Sequence, residues 1–296
     1  MTLAELDRYT AESLSPVLGE REAAATTRLL LEDILGIDRV KLVTSGDRPV
    51  EPETIERFRD IIRRISQGEP PQYIVGKARF MGMDFYVSPA TLIPRPETAE
   101  LVDIVTDTVR GNGSRITVSS SNPRILDIGT GSGCIAIALA RALAYAEVSA
   151  IDISPEALDV ARKNALSLHV NVDFMTADIL LARGSSVSTS DGHSIDASDF
   201  DIIVSNPPYI AESERAAMEA RVKDHEPAAA LFVPDSDPLK FYRAIVDFDS
   251  NATLFFEINP LFSNQLSKMF EEKNFDYEIL RDSSGKERFA IARRLS

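Results

Sequence analysis

The chain has 296 residues, room for one large domain or a large and a small one, and its 44% hydrophobic content is that of an ordinary globular protein. A formal net charge of -14 weighs against a basic face that grips a nucleic-acid backbone, and a single cysteine excludes an internal disulfide framework. No stretch is long and apolar enough to span a bilayer, and residues 1–5 lack the basic and apolar regions of a signal peptide, so the expected location is a reducing cytoplasm.

The first seventy residues read as helices. Residues 3–14 form one candidate. Residues 20–35 form a second, with Leu29, Leu30, Ile34 and Leu35 as an apolar stripe and Gly36 as a stop. Residues 52–67 form a third, with a proline tolerated in the first turn. It carries Ile55, Phe58, Ile61, Ile62 and Ile65 at helical spacing and ends at Gly68. Such stripes are ordinarily core, and Arg63 and Arg64 read as a solvated face. Pro70 and Pro71 end this helical domain, assigned to residues 1–70. Residues 73–87, β-branched and aromatic with glycines, predict a hairpin within a linker over 71–90. The large domain then spans 91–296. Pro94, Arg95 and Pro96 lead into a helix over 97–109, and Arg95 is expected to anchor a loop near a cleft.

Beyond that point strands and helices alternate. Strands are predicted at 124–128, 147–151, 173–176, 200–205 and 253–258, with 277–280 and 288–292 as a closing antiparallel pair. Ser154, Pro155 and Glu156 supply an N-cap, a first-turn proline and an acid for a helix reaching residue 168. This alternation implies an α/β, mainly parallel, doubly wound sheet with ligands at the carboxyl ends of its strands. Residues 111–122 and 184–198, rich in Ser, Gly, Asn and Asp, read as flexible loops. His169, His193 and His225 show no metal-ligand spacing. Cys134 reads as a small residue packed at a helix start.

Two motifs lie at strand ends. In the first, a strand runs into Gly129, Thr130, Gly131, Ser132 and Gly133, and a helix follows; glycines permit the tight turn, and the helix start presents free N–H groups to an anion. Residues 131–136 also satisfy the G-x-G-x-x-A dinucleotide form, with Asp152 where a ribose-binding acid belongs, so the glycines alone leave a nicotinamide-dependent oxidoreductase open. The second motif is Asn206, Pro207, Pro208 and Tyr209. Each proline fixes its own φ and keeps the preceding residue extended. The Asn206 side-chain oxygen and the Pro207 carbonyl can therefore converge on one NH2 group, with the Tyr209 ring against a flat substrate. Asp127 and Gly129 before the glycine turn, together with this clamp, favour a nucleoside cofactor other than a dinucleotide.

Asp127-x-Gly129-x-Gly131-x-Gly133 followed by Asn-Pro-Pro-Tyr resembles the class I S-adenosylmethionine methyltransferases that modify planar NH2 groups. The likeness narrows with Gln72, Tyr73, Ile74 and Gly76, then Ile93-Pro94-Arg95-Pro96-Glu97-Thr98, then Glu226-Pro227-Ala228-Ala229-Ala230-Leu231, and finally Asp282 with Gly285-Lys286-Glu287-Arg288-Phe289. In this order they resemble the peptide chain release factor glutamine N5-methyltransferase family (PrmC/HemK), over residues 72–293. The resemblance implies a Rossmann-like domain, with a mainly parallel seven-stranded sheet and an antiparallel closing strand, preceded by a small helical bundle. It implies S-adenosyl-L-methionine as cofactor and the glutamine of a Gly-Gly-Gln motif in a class I release factor as substrate, with the helical domain helping to dock that protein. A monomer that makes no direct nucleic-acid or membrane contact is expected.

Under this resemblance the glycine loop, residues 129–133, carries the methionine part of the cofactor. Asp152 accepts from its ribose hydroxyls, and Asp178 and Ile179 border its adenine. Asn206, Pro207 and Tyr209 are the catalytic candidates; with Pro208 and Arg95 they also form the substrate site, and Asn206 counts among the cofactor-binding residues as well. The segment 184–198 departs from the shorter connection expected of the family. The alternatives are a methyltransferase for a ribosomal protein glutamine or for a base amine, and a non-catalytic cofactor-binding subunit.

Overall fold

The computed structural model describes residues 1–118, 120–248 and 251–295 and divides into two compact units. One comprises Met1–Lys77 with Glu219–His225, the other Ala78–Met218 with Glu226–Ser296.

In the helical unit, α1 (Leu3–Leu18) opens on a capping box, in which the Glu5 N–H donates to the Thr2 hydroxyl and the Thr2 N–H to the Glu5 carboxylate. α2 (Glu20–Leu35) stops at Gly36, whose φ of 64° suits glycine. A short helix absent from the sequence reading, α3 (Arg39–Ser45), is capped by Asp38. α4 (Pro52–Ser66) buries Phe58, Ile61, Ile62 and Ile65 in a cluster with Leu6, Leu14, Leu30 and Leu31. The hairpin predicted over 73–87 needs correction at its start. Pro71 occupies the first turn of another helix, α5 (Pro71–Val75), where its missing N–H costs nothing, and Gly76 closes that helix in a left-handed conformation. The hairpin proper is β1 (Lys77–Phe80) with β2 (Met83–Tyr86).

The larger unit runs α6 (Pro96–Val109), β3 (Arg124–Ile128), α7 (Cys134–Ala142), β4 (Glu147–Asp152), α8 (Pro155–Leu168), β5 (Asp173–Thr176), β6 (Ser186–Ser188), β7 (Ser194–Asp196), β8 (Ile202–Ser205) and β9 (Ile210–Ala211). The chain then contributes α9 (Ala220–Lys223) to the helical unit, where Arg221 pairs with Glu22 of α2. It returns as β10 (Phe232–Val233), α10 (Lys240–Asp247), β11 (Thr253–Glu257), α11 (Ser263–Glu272), β12 (Phe275–Arg281) and β13 (Glu287–Arg294).

Among the described residues, seven strands form one sheet in the order β12-β13-β11-β8-β3-β4-β5. Neighbours from β11 to β5 are parallel, and β13 runs antiparallel to both β11 and β12. Successive residues of a strand face opposite sides, so the sheet separates two cores. Leu126, Ile203 and Phe256 pack with Tyr242 of α10 and Leu266 of α11 on one side. Ile125, Val204 and Phe255 pack with Leu101 of α6 and Leu139 of α7 on the other. From β3 the chain adds β4 and β5 on one flank and then crosses to β8 on the opposite flank of β3. The switch point lies between β3 and β8, where a crevice opens at the carboxyl edge. Register aligns that edge: Ile128 lies opposite both Ile151 and Ser205, so Gly129, Asp152 and Asn206 emerge side by side.

Of the two predicted flexible loops, 184–198 is corrected, whereas the described part of 111–122 holds no helix or strand. Residues 184–198 fold into the β6–β7 hairpin, and Val187, Ile195 and Ala197 are buried in the first core. Burying an aliphatic side chain of that size contributes about 1.5–3 kcal/mol, enough to hold an otherwise polar insertion to the domain. In the stretch 111–118, the Arg115 and Ile116 N–H groups and the Ser114 hydroxyl all donate to the Glu278 carboxylate on β12. Ser119 lies outside the described residues.

Candidate active site

The glycine turn is built by strand ends and a packed helix. Gly129, Gly131 and Gly133 have φ of 75°, 54° and 80°, which a Cβ disfavours. At Gly133 there is also no room: a Cβ would lie 3.0 Å from Ile137 Cδ1 and 3.1 Å from Ala161 Cβ. Gly133→Ala is therefore expected to destabilise the protein by about 2 kcal/mol or more, read as a lower midpoint in urea. Gly129 and Gly131 face open space instead, which leaves their backbone approachable. Below the turn, Asn164 of α8 is fully buried. Its Nδ2 donates to the Ser132 and Tyr86 carbonyls, and its Oδ1 accepts from the Tyr86 N–H, tying β2 to the loop.

Two carboxylates hold the turn. Asp152 Oδ2 accepts from the Gly131 N–H at 2.8 Å and Oδ1 from the Ser154 N–H at 2.9 Å. Burial pushes its carboxyl pKa up, and these N–H groups oppose the rise. Asp127, near the carboxyl end of β3, has no exposed surface. Its Oδ2 accepts from the Thr130 hydroxyl at 2.6 Å and the Ala136 N–H at 3.2 Å, whereas Oδ1 is buried without a partner among the described residues. Burial lifts its pKa to about 7 against the Thr130 and Ala136 donors.

A carboxyl raised in the folded state favours folding below its unfolded pKa, and that contribution is lost as pH rises through the folded value. Asp127→Asn should therefore gain stability over the native protein by about 2–3 kcal/mol between pH 5 and pH 8, measured by urea unfolding of both at each pH. A pH-independent difference would contradict this account of Asp127.

At the end of β8, Asn206 Nδ2 donates to the Thr98 hydroxyl at 3.1 Å. Thr98 in turn donates to Glu257 Oε2 at 2.8 Å, and the Tyr209 hydroxyl donates to Glu257 Oε1 at 2.9 Å. Glu257 is buried at the end of β11. Desolvation raises its pKa, while the two hydroxyls and the Arg288 charge pull it down. Burial likewise raises the Tyr209 phenol above its usual range. Near the same edge, Arg95 Nη2 pairs with the almost wholly buried Glu226 at 2.5 Å, and Glu226 also accepts from the Ile93 N–H. The Asp178 carboxylate caps the turn after β5 by accepting from Leu180 N–H at 2.9 Å.

These groups surround a cavity of about 500 Å³. Gly129, Thr130, Gly131, Ser132, Asp152, Asp178 and Ile179 line one part, and Arg95, Asn206, Pro207 and Pro208 line another. Gly133 and Tyr209 are not in the wall: Gly133 packs behind it, and Tyr209 packs against the first core with its hydroxyl on Glu257. The expected ring face of Tyr209 on the cleft is thus replaced by a supporting position. Cys134 is buried in the second core with its thiol pushed up to about 12 by desolvation, in keeping with packing rather than nucleophilic chemistry. Thr98 and Glu226 stood in recognised motifs without a partner assigned. Glu257 had no role, although an acid closing the apolar run Leu254-Phe255-Phe256 is itself a signal of buried polar function.

A switch-point crevice edged by a glycine turn, a carboxylate at the next strand end and an extended Asn-Pro-Pro segment is the arrangement of a class I methyltransferase. A methyltransferase domain model matches residues 119–280, and a PrmC N-terminal domain model matches residues 8–76. The chain is 41% identical to the release factor glutamine methyltransferase of Bacteroides thetaiotaomicron over 97% of this chain and 98% of that one. It is 38% identical to that of Flavobacterium psychrophilum, covering 91% of each, and 37% identical to that of Bacillus subtilis, covering 92% and 91%. The chain belongs to the release factor glutamine methyltransferase family. Among solved structures it resembles in fold the hMettl16 catalytic domain in complex with MAT2A 3'UTR hairpin 6, with a TM-score of 0.53 at 15% identity, covering 80% of this chain and 82% of that one.

The methyl donor of this enzyme class is S-adenosyl-L-methionine. The donor set fits it: Gly129 and Gly131 leave the backbone open, and the Asp152 carboxylate lines the cavity beside them.

Proposed function

We propose that the chain methylates the side-chain amide nitrogen, N5, of the glutamine in the Gly-Gly-Gln motif of a class I peptide chain release factor. It would act as a cytoplasmic monomer, without gripping nucleic acid, and residues 1–70 would help to dock the factor. One observation carries the chemistry. The Asn206 amide gives an N–H to Thr98, which leaves Oδ1 as the group it offers the cleft, next to Pro207. An acceptor there suits an incoming NH2 group.

Bound S-adenosyl-L-methionine supplies an electrophilic methyl on a sulfonium. The protein's task is to make a poor nucleophile attack, since the amide lone pair is shared with its carbonyl. Asn206 Oδ1 and the Pro207 carbonyl accept the two N–H bonds of the glutamine. Both interactions strengthen as charge develops on nitrogen, so they act chiefly in the transition state. They also orient the nitrogen, which contributes several kcal/mol to the rate. The proton leaves afterwards through one of these oxygens to water. Asp152 holds the ribose hydroxyls by charge-assisted hydrogen bonds, and Asp178 and Ile179 border the adenine. Arg95, paired with Glu226, shapes the substrate side, and Tyr209 supports the turn from behind through Glu257.

The test offers the enzyme radiolabelled S-adenosyl-L-methionine with purified release factor, the same factor lacking the motif glutamine, ribosomal proteins and DNA. Label on the intact factor alone supports the proposal. Label on a ribosomal protein or DNA keeps the clamp and overturns the substrate.

A further inference from the structure

An amide clamp works only one way round. If Asn206 turned its NH2 toward the cleft, two NH2 groups would face each other and transfer would stop. The two orientations have nearly the same shape, so sterics alone do not choose between them. The choice lies in the direction of the hydrogen bonds behind the side chain.

We propose that Glu257 and Thr98 are positioning residues that impose this direction on Asn206, a proposal that rests on the reading of Asn206 as the acceptor for the substrate amide. A carboxylate accepts and does not donate. Each Glu257 oxygen receives one hydroxyl, from Tyr209 at 2.9 Å and from Thr98 at 2.8 Å. Thr98 has a single hydroxyl proton, and Glu257 takes it. Toward Asn206 the Thr98 oxygen can then only accept, so Asn206 must present Nδ2 to it, at 3.1 Å, and Oδ1 to the cleft. The chain of directions runs from a buried charge, through one threonine, to the reacting edge. Glu257 is itself fixed: Tyr242 donates to its main-chain carbonyl at 3.0 Å, and β11 is paired on both sides.

Three variants test this. Thr98→Val removes the hydroxyl and keeps the volume. Thr98→Ser restores the hydroxyl. Glu257→Leu keeps the approximate volume and removes both acceptors, which frees the Thr98 hydroxyl to donate toward Asn206. Thr98→Val and Glu257→Leu should lower kcat by about 10- to 100-fold, with the calorimetric affinity for S-adenosyl-L-methionine retained, and Thr98→Ser should recover most of what Thr98→Val loses. A second readout needs no substrate. By NMR, the Asn206 side-chain amide, identified by its disappearance in Asn206→Ala, should show one proton protected from solvent exchange in the native enzyme, a protection lost in Thr98→Val and Glu257→Leu.

Native-like kcat in both Thr98→Val and Glu257→Leu, or equal losses in Thr98→Ser and Thr98→Val, would overturn the proposal. An unprotected amide in the native protein would overturn it whatever the substrate. A protected amide in an enzyme that transfers no methyl to release factor would remove the substrate reading and still support the positioning role.

Discussion

Asn206→Ala should lower kcat for release-factor methylation by about 10²- to 10³-fold, the loss that follows removal of one preorganised group stabilising transition-state charge. Affinity for S-adenosyl-L-methionine should hold to within about a factor of two, because the residues proposed to hold its ribose and methionine parts sit at other strand ends. The structure supports this separation. Asn206 follows β8 and is held by Thr98 of α6, whereas the glycine turn is held by Asp127 and Asp152. Single-turnover kinetics with saturating donor, alongside calorimetry, would read the two quantities independently. An Asn206→Ala enzyme with native kcat would remove the clamp from the mechanism.

The converse is expected at Asp152. Asp152→Ala should weaken S-adenosyl-L-methionine by about 10- to 100-fold, since hydrogen bonds to a charged acceptor contribute about 1.5–3 kcal/mol. Two losses combine there. The ribose hydroxyls lose their acceptor, and the Gly131 and Ser154 N–H groups lose the carboxylate that sets the turn. Calorimetry on the apo protein gives the answer directly, and unchanged affinity would refute the assigned role.

Much of this was legible in the sequence because local chemistry dictated it. Gly36 stopping α2, Ser154 and Pro155 opening α8, and the apolar runs of β3 and β8 all appear where residue type predicts them. The strand-end positions of Gly129, Asp152 and Asn206 followed from alternation. What stayed hidden was set by distant partners. Nothing near Glu257 reveals that Thr98, 159 positions away, donates to it. The insertion over 184–198 looked solvent-borne because its few apolar residues, Val187 and Ile195, matter only once a core lies beneath them. Pro71 was read as a break when it also serves as a helix start. The Asn-Pro-Pro-Tyr motif points to a cleft position for Tyr209, whereas its hydroxyl donates to the buried Glu257.

The helical unit is discontinuous in the chain, since Glu219–His225 belong with Met1–Lys77. A ribosome delivers residues in order, so the amino-terminal helices emerge long before their last segment. Arg221 reaches Glu22 only after β3, β4, β5 and β8 have been synthesised. The first unit to be born is therefore among the last to be completed, and its final closure waits on the strands that carry the active site. A fragment ending at residue 77 would leave that closure unmade, so truncation at the apparent domain boundary is a poor way to isolate the helical unit.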